Sequence, residues 1–151
     1  MKSLRRFLTA GAAATLVLLA AACGKSSDPV RDCLDGVTRA AHNRDSAALF
    51  ERVTADFQSG EGSSRAEAED LLRRTFAAYE NLDVTLSDVQ IERSENAARA
   101  HFRADLSGQP RKIGGLDGLF PRTSSYDFDV RLVPEDGKWK IAWAEWREAA
   151  R

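Results

Sequence analysis

The chain has 151 residues, a formal net charge of −1 and a pI near 6.1, with 43% hydrophobic and 30% charged residues. This length and balance predict a single globular domain. The near-zero charge argues against a nucleic-acid-binding protein, because phosphate contacts need a basic excess. The two cysteines and two histidines do not have the spacing of a structural zinc site. We therefore expect neither a metal nor a cofactor.

The first 22 residues have the composition of a secretory signal. A basic start that contains Lys2, Arg5 and Arg6 is followed by an uncharged run from Phe7 to Ala22. The run is 16 residues long and rich in alanine, whereas a permanent membrane-spanning helix needs roughly 20 strongly apolar residues. We therefore expect residues 1–22 to be removed.

The end of this run resembles a bacterial lipoprotein signal. Leu19 and three alanines stand before Cys23, although the pattern places the leucine one position nearer, where this chain has Ala20. The resemblance implies that Cys23 becomes the first mature residue and carries acyl chains, followed by a polar tether over residues 23–29. Several acyl chains hold a protein stably on a bilayer. An ordinary signal peptide with an incidental cysteine is the alternative.

The mature chain is more acidic than the precursor. Removal of residues 1–22 takes away three basic residues and no acid, which leaves a net charge of −4. An acidic domain has no electrostatic reason to lie on an anionic membrane. Gly24 is not the aspartate that commonly retains lipoproteins in the inner membrane, but Lys25-Ser26 resembles a retention signal. We expect a periplasm-facing, lipid-anchored protein, with the outer membrane favoured over the inner one.

Three helices are predicted in the first half of the mature chain. Asp28-Pro29 is typical of a helix start, and Asp45 predicts the cap of a second helix that runs to Phe57. Ser64 and Glu67 have the spacing of a capping box at the start of a third helix. The predicted buried faces of the three helices contain Val30, Cys33, Leu34, Val37 and Ala41; Leu49, Phe50, Val53 and Phe57; and Leu71, Leu72, Thr75, Phe76, Tyr79 and Leu82.

The second half alternates with the period of β-strands. Val84 and Leu86 are out of phase with Val89 and Ile91, which predicts a bulge near Ser87-Asp88. Residues 98–106 and 126–132 alternate apolar and charged side chains, as half-buried antiparallel strands do. A turn at Pro134–Gly137 leads to a return strand with Trp139, Ile141 and Trp143. Helices followed by such strands predict an α+β domain with the helices on one face of the sheet.

This order resembles the nuclear transport factor 2-like (SnoaL-like, cystatin-like) fold. The polar turn Ala41–Asp45 and the hairpin segment Gly137–Trp146 are the matching motifs. For residues 30–151 the resemblance implies N-terminal helices on a curved antiparallel sheet of four strands, which together enclose a cone-shaped pocket. It also implies a homodimer through the outer face of the sheet. Because this fold hosts isomerases, dehydratases and non-enzymes, it does not define the chemistry.

A catalytic residue would have to face into the cone. His101 and Asp105 share the polar side of their strand, and Tyr79 is a phenol alone, so these three are weak catalytic candidates. The predicted ligand pocket is apolar instead, with Tyr79, Phe102, Tyr126, Phe128, Trp139 and Trp143. The sequence favours a non-catalytic protein that binds a small apolar ligand or an envelope protein. An isomerase or dehydratase that uses a pocket histidine or aspartate is the alternative.

An apolar, glycine-rich segment connects two of the predicted strands. It contains Leu116, Leu119 and Phe120, which are not all comfortable in water. The segment is either a long loop over the pocket mouth or a lid or partner-docking patch. In the second case, the protein would be a scaffold or assembly subunit of the envelope.

Overall fold

The structure is a computed structural model that describes residues 28–112 and 120–150. Its elements are α1 (Pro29–His42), α2 (Ser46–Phe50), β1 (Val53–Ser59), α3 (Arg65–Ala77), β2 (Tyr79–Arg93), β3 (Ala98–Pro110), β4 (Thr123–Glu135) and β5 (Lys138–Glu148). The five strands form one sheet in the order β1-β5-β4-β3-β2. Strands β2 to β5 are an antiparallel meander, and β1 pairs with β5 in parallel. No helix in the described ranges is long and apolar enough to cross a membrane.

The predicted helix starts are confirmed. The Asp28 carboxylate accepts a hydrogen bond of 2.9 Å from the backbone N–H of Val30, and Asp45 accepts one of 2.9 Å from Ala48. The capping box is complete, because the Ser64 side chain accepts from the Glu67 N–H while the Glu67 carboxylate accepts from the Ser64 N–H. These bonds satisfy N–H groups that have no partner inside the helix.

The predicted extent of two helices is wrong. The second helix ends at Phe50, and Val53 to Phe57 belong to β1 instead, so the sheet has five strands rather than the four of the predicted meander. Val53 and Phe57 are four residues apart, a spacing that places two side chains on one face of either a helix or a strand. Because this segment pairs with β5, it forms a strand. Tyr79 and Leu82, which were placed in the third helix, are buried in β2, because that helix ends at Ala77.

The predicted bulge in β2 is confirmed. The β2–β3 register shifts between Ser87 and Gln90, and Asp88 has a positive φ of 52°. As a result, Leu86 lies opposite Ala104 and Ile91 lies opposite Ala100, all on the same side of the sheet. We call this helix-covered side the inner face and the opposite, charged side the outer face.

A second bulge, in β5, was not predicted. The β4–β5 register skips Ala142, so Leu132 pairs with Ile141 while Arg131 pairs with Trp143. Trp143 therefore lies on the outer face, where the Arg131 guanidinium is 5.6 Å from the centroid of its ring. The bulge also turns Trp146 to the inner face, opposite Phe128.

Helix α1 forms the main core with the inner face of the sheet. Val30 and Leu34 are almost fully buried with Val130 and Leu132 of β4. The small side chains of Ala98, Ala100 and Ala104 in β3 belong to the same core. Helix α3 contacts β1 and β2, which are the two opposite edges of the sheet. The sheet must therefore curve toward α3, and the predicted α+β architecture is confirmed.

Thr54 places an unpaired hydroxyl group in the core, which lowers the stability of the fold. It is 1% exposed, and its hydroxyl has no hydrogen-bond partner among the described residues. Because a buried hydroxyl without a partner costs about 1–3 kcal/mol, we expect Thr54→Val to raise the free energy of unfolding by about 1 kcal/mol. Urea unfolding followed by circular dichroism measures this change.

The matched control is Thr38→Val. The Thr38 hydroxyl donates a 2.9 Å hydrogen bond to the Leu34 carbonyl in α1, so this variant should gain no stability. A Thr54→Val protein that unfolds at lower urea than the wild type would contradict the prediction.

Candidate ligand-binding site

Four aromatic rings lie next to each other on the inner face of β3, β4 and β5. The Phe102 and Phe128 rings are stacked with centroids 5.3 Å apart, and Trp146 stacks on the other side of Phe128 at 6.1 Å. Tyr126 meets Phe128 edge to face at 6.5 Å. These are favourable separations for aromatic pairs. We call Phe102, Tyr126, Phe128 and Trp146 the aromatic cluster.

Strand register builds this cluster. Phe102, Phe128 and Trp146 occupy directly opposed positions on three consecutive strands, so their rings form a row across the sheet. Exposure increases along the row, from 7% for Phe102 in the core, through the half-buried Phe128, to 39% for Trp146. The cluster therefore joins the core to the solvent and offers an open apolar surface at its Trp146 side.

Tyr79 lies farther along the sheet than the aromatic cluster, at the start of β2, where it pairs with Pro110. Its hydroxyl donates a 2.8 Å hydrogen bond to the Pro121 carbonyl, and its ring meets Phe120 edge to face at 6.1 Å. Burial, with a smaller contribution from nearby Tyr126, raises the pKa of Tyr79 above its usual value. Tyr79 thus keeps its proton at neutral pH and holds the chain around Phe120 and Pro121 in place.

Close packing around Tyr79 requires a glycine in β3. A Cβ on Gly108 would lie 2.6 Å from the backbone oxygen of Asn81 and 2.9 Å from the Tyr79 ring. No other residue type gives the ring this approach to the strand.

The three weak catalytic candidates do not meet. His101 is on the outer face, where its Nδ1 is 3.6 Å from the Asp129 carboxylate, and its side chain is 44% exposed. Asp105 is also on the outer face and accepts a 2.5 Å hydrogen bond from the Ser125 hydroxyl. Only Tyr79 is on the side of the aromatic cluster. The predicted separation of apolar and ionic side chains on β3 and β4 is therefore confirmed.

The predicted ligand pocket is divided by the structure. Phe102, Tyr126 and Phe128 are in the aromatic cluster, and Tyr79 lies farther along the sheet, where it pairs with Pro110. Trp139 is on the inner face at the opposite end of β5, where the Arg93 guanidinium lies 5.8 Å from its ring centroid. The inward placement of Trp143 is wrong, because the bulge at Ala142 turns it outward.

Trp146 was missed by the sequence analysis. The alternation of Trp139, Ile141 and Trp143 in the sequence hides a second apolar set, Ala144 and Trp146, with the opposite phase. That competing set was the available signal for a bulge.

Arginines neutralise the acids at the centre of the outer face. Arg99 donates to Asp129 at 2.8 Å, and Arg103 donates to Asp127 at 3.1 Å. The hydrogen bond from Arg99 outweighs partial burial and lowers the pKa of Asp129. This balanced surface neither requires nor opposes the predicted homodimer, which stays a prediction.

Two open clefts lie away from the aromatic cluster. One, of about 690 Å³, runs between β1 and α3, and the other, of about 510 Å³, lies at the end of α1 beside β2 and β3. In the second cleft, His42 Nδ1 is 3.1 Å from the Asp83 carboxylate, and both side chains are exposed. Within residues 28–112 and 120–150 no group of three potential metal ligands occurs.

Several predicted site residues lie outside the described residues. These are Cys23, Leu116 and Leu119. Phe120 is described and is half-buried against Tyr79.

No protein-family model and no curated protein matches this chain. Solved structures do. A Novosphingobium aromaticivorans protein, provisionally named a scytalone dehydratase, superposes with a TM-score of 0.70 at 15% identity, over 81% of this chain and 83% of that one. The chain has the nuclear transport factor 2-like fold.

Two further structures with this fold are similar. A Streptomyces avermitilis protein, provisionally named a dehydratase of the NTF2-like family, has a TM-score of 0.66 at 16% identity, over 82% of this chain and 96% of its own. An NTF2-like superfamily protein from Salmonella enterica has a TM-score of 0.66 at 14% identity, over 81% and 89% of the two chains. At such identities the likeness shows the fold alone, and it confirms the predicted fold class.

The bond between Tyr79 and Pro121 gives a direct test of the site geometry. We expect Tyr79→Phe to lower the free energy of unfolding by about 1 kcal/mol, because it removes one buried hydrogen bond. Tyr126→Phe is the matched control, since the described residues give its hydroxyl no hydrogen bond. Differential unfolding in urea compares the two variants. Equal stability of both would contradict the Tyr79–Pro121 contact.

Proposed function

We propose that this protein is a lipid-anchored, periplasm-facing member of its fold class that binds a small apolar ligand at the aromatic cluster without catalysis. The observation that supports it best is the open side of the cluster. Trp146 is a large apolar side chain that is 39% exposed next to half-buried rings. Apolar surface that is continuous with a core and open to solvent is typical of ligand sites.

The chemistry at the cluster supports binding over catalysis. Proton transfer needs a group whose pKa lies near the operating pH. The titratable groups of the cluster and its nearest described neighbours are the phenols of Tyr79 and Tyr126 and the exposed carboxylate of Glu148, which pairs with Tyr126 across the strands. Burial raises the pKa of Tyr79 further. The inner-face ion pair of Asp28 and Arg93 lies beside Ala98, four residues along β3 from Phe102, and both side chains are 40% exposed.

The ligand class follows from the shape of the surface. A row of stacked rings offers flat apolar faces, and the phenol edges of Tyr79 and Tyr126 add polar atoms at one end. A flat, mainly apolar molecule matches these features, because it would extend the stack and bury the exposed part of Trp146.

An isomerase or dehydratase is the second candidate. The names of the Novosphingobium and Streptomyces proteins favour it. In this chain it would have to use Tyr79, whose hydroxyl donates to the Pro121 carbonyl, or Tyr126 and the Glu148 carboxylate opposite it. An envelope protein that docks beside Phe120 is a third candidate.

Fluorescence titration with the apolar dye Nile red tests the binding proposal. We expect Trp146→Ala to raise the dissociation constant at least fivefold, because loss of one aromatic contact of about 1 kcal/mol has that effect. Trp143→Ala is a matched control on the same strand but on the outer face, and it should leave the dissociation constant unchanged. Equal effects of the two variants would refute the site.

The membrane anchor is tested separately by Cys23→Ser. We expect the protein to move from the membrane fraction to the soluble fraction on ultracentrifugation, because the acyl chains are lost. Cys33→Ala is the control and should stay with membranes. Cys33 is buried in α1, and burial raises the pKa of its thiol to about 11, which keeps it unreactive. Unchanged sedimentation of Cys23→Ser would contradict lipidation.

A further inference from the structure

We infer that the ligand of the aromatic cluster carries a positive charge, which the Glu148 carboxylate binds beside the rings. The ligand class is then a flat organic cation, either a protonated amine or a quaternary ammonium compound with an apolar ring system. This inference rests on the ligand site proposed above and adds the charge of its ligand.

Four side chains form a block on the inner face of β4 and β5. Tyr126 is directly opposite Glu148, and Phe128 is directly opposite Trp146, two residues along each strand. Directly opposed residues of antiparallel strands have Cβ atoms about 4.5–5.5 Å apart, and diagonal neighbours are about 7–8 Å apart. Three positions of the block are therefore aromatic rings, and the fourth places a carboxylate within reach of them.

The backbone at Glu148 is held on the sheet. Glu148 is the last residue of β5, and the N–H of the next residue, the buried Ala149, donates a 2.8 Å hydrogen bond to the Ser125 carbonyl. The Glu148 side chain itself is exposed. The fold thus fixes where this side chain begins and leaves its charged end open to a ligand.

The described residues do not neutralise Glu148. None of the ion pairs among them includes it. Its neighbour Arg147 lies on the outer face, opposite Asp127. The acids on that outer face differ from Glu148, because Asp127 and Asp129 each bind an arginine. The charge of Glu148 is therefore available to a ligand.

The tryptophans of β5 show the same contrast. Trp139 and Trp143 each have an arginine guanidinium over the ring, at 5.8 and 5.6 Å from the ring centroid. Trp146 is more exposed than either, and no lysine or arginine of the described ranges lies over its ring or over the other rings of the cluster. A cationic ligand would supply this contact at Trp146.

The rings and the carboxylate attract a cation together. The face of an aromatic ring is the negative part of its quadrupole, and it attracts a cation that lies within about 6 Å of the ring centroid. The Glu148 carboxylate adds Coulomb attraction at the edge of the same surface. Both would repel an anionic ligand, and a neutral ligand would gain only from contact with the rings.

Competition against bound Nile red tests the charge of the ligand. Two probes of the same shape are compared: N-methylquinolinium, a permanent cation, and methylnaphthalene, its neutral carbon analogue. We expect both to displace the dye. Glu148→Gln should raise the dissociation constant of the cation about threefold relative to that of the neutral probe, because an exposed ion pair is lost.

Glu145→Gln is the matched control. Glu145 is also an exposed glutamate of β5, but it lies on the outer face, opposite Asp129. Its substitution removes the same charge from the chain and should leave the ratio of the two dissociation constants unchanged. Since both glutamates are exposed, neither substitution removes a contact from the core.

The outcomes separate two kinds of failure. A protein that does not bind Nile red, or that binds it equally well after Trp146→Ala, refutes the site and with it the proposed ligand binding. A protein that binds Nile red at Trp146 refutes the cationic ligand alone in either of two cases. In the first, N-methylquinolinium displaces no dye. In the second, Glu148→Gln and Glu145→Gln give the same ratio of dissociation constants.

Discussion

The register between β4 and β5 is the constraint on which the site depends. In a strand, a shift of one residue moves every following side chain to the other face. The bulge at Ala142 makes this shift once, after Ile141, so that Trp139 and Ile141 face the helices, Trp143 faces away, and Ala144 and Trp146 face the helices again. Without the bulge, Trp146 would lie on the charged outer face and Phe128 would have no ring beyond it.

Local signals in the sequence predict much of the fold. The caps at Asp28, Asp45 and Ser64 depend on hydrogen bonds within three residues, and the β2 bulge is visible because two pairs of apolar residues are out of phase. Strand β1 depends on a distant partner instead, since Val53 and Phe57 fit a helix until β5 is beside them. Long-range pairing is the information that the pattern of a single segment does not contain.

The same distinction applies to the site. Phe102, Tyr126 and Phe128 were predictable because each follows a regular alternation of apolar and charged residues. Trp143 and Trp146 were not, because both phases of β5 are apolar and the choice between them is made by pairing with Arg131 and Phe128. Trp139 lies on the inner face, as predicted. Its contact with Arg93 is at the start of β5 and depends on where the β4–β5 turn lies relative to α1.

These features combine into one account of the molecule. Helix α1 packs on the inner face of the sheet, the row of rings crosses the same face, and the ionic residues of β3 and β4 lie on the outer face. NMR spectra of the three tryptophan indole N–H groups during titration with Nile red test the central claim most directly. The account predicts that the Trp146 signal shifts or broadens while Trp143 does not change. A response of Trp143 without one of Trp146 would contradict it.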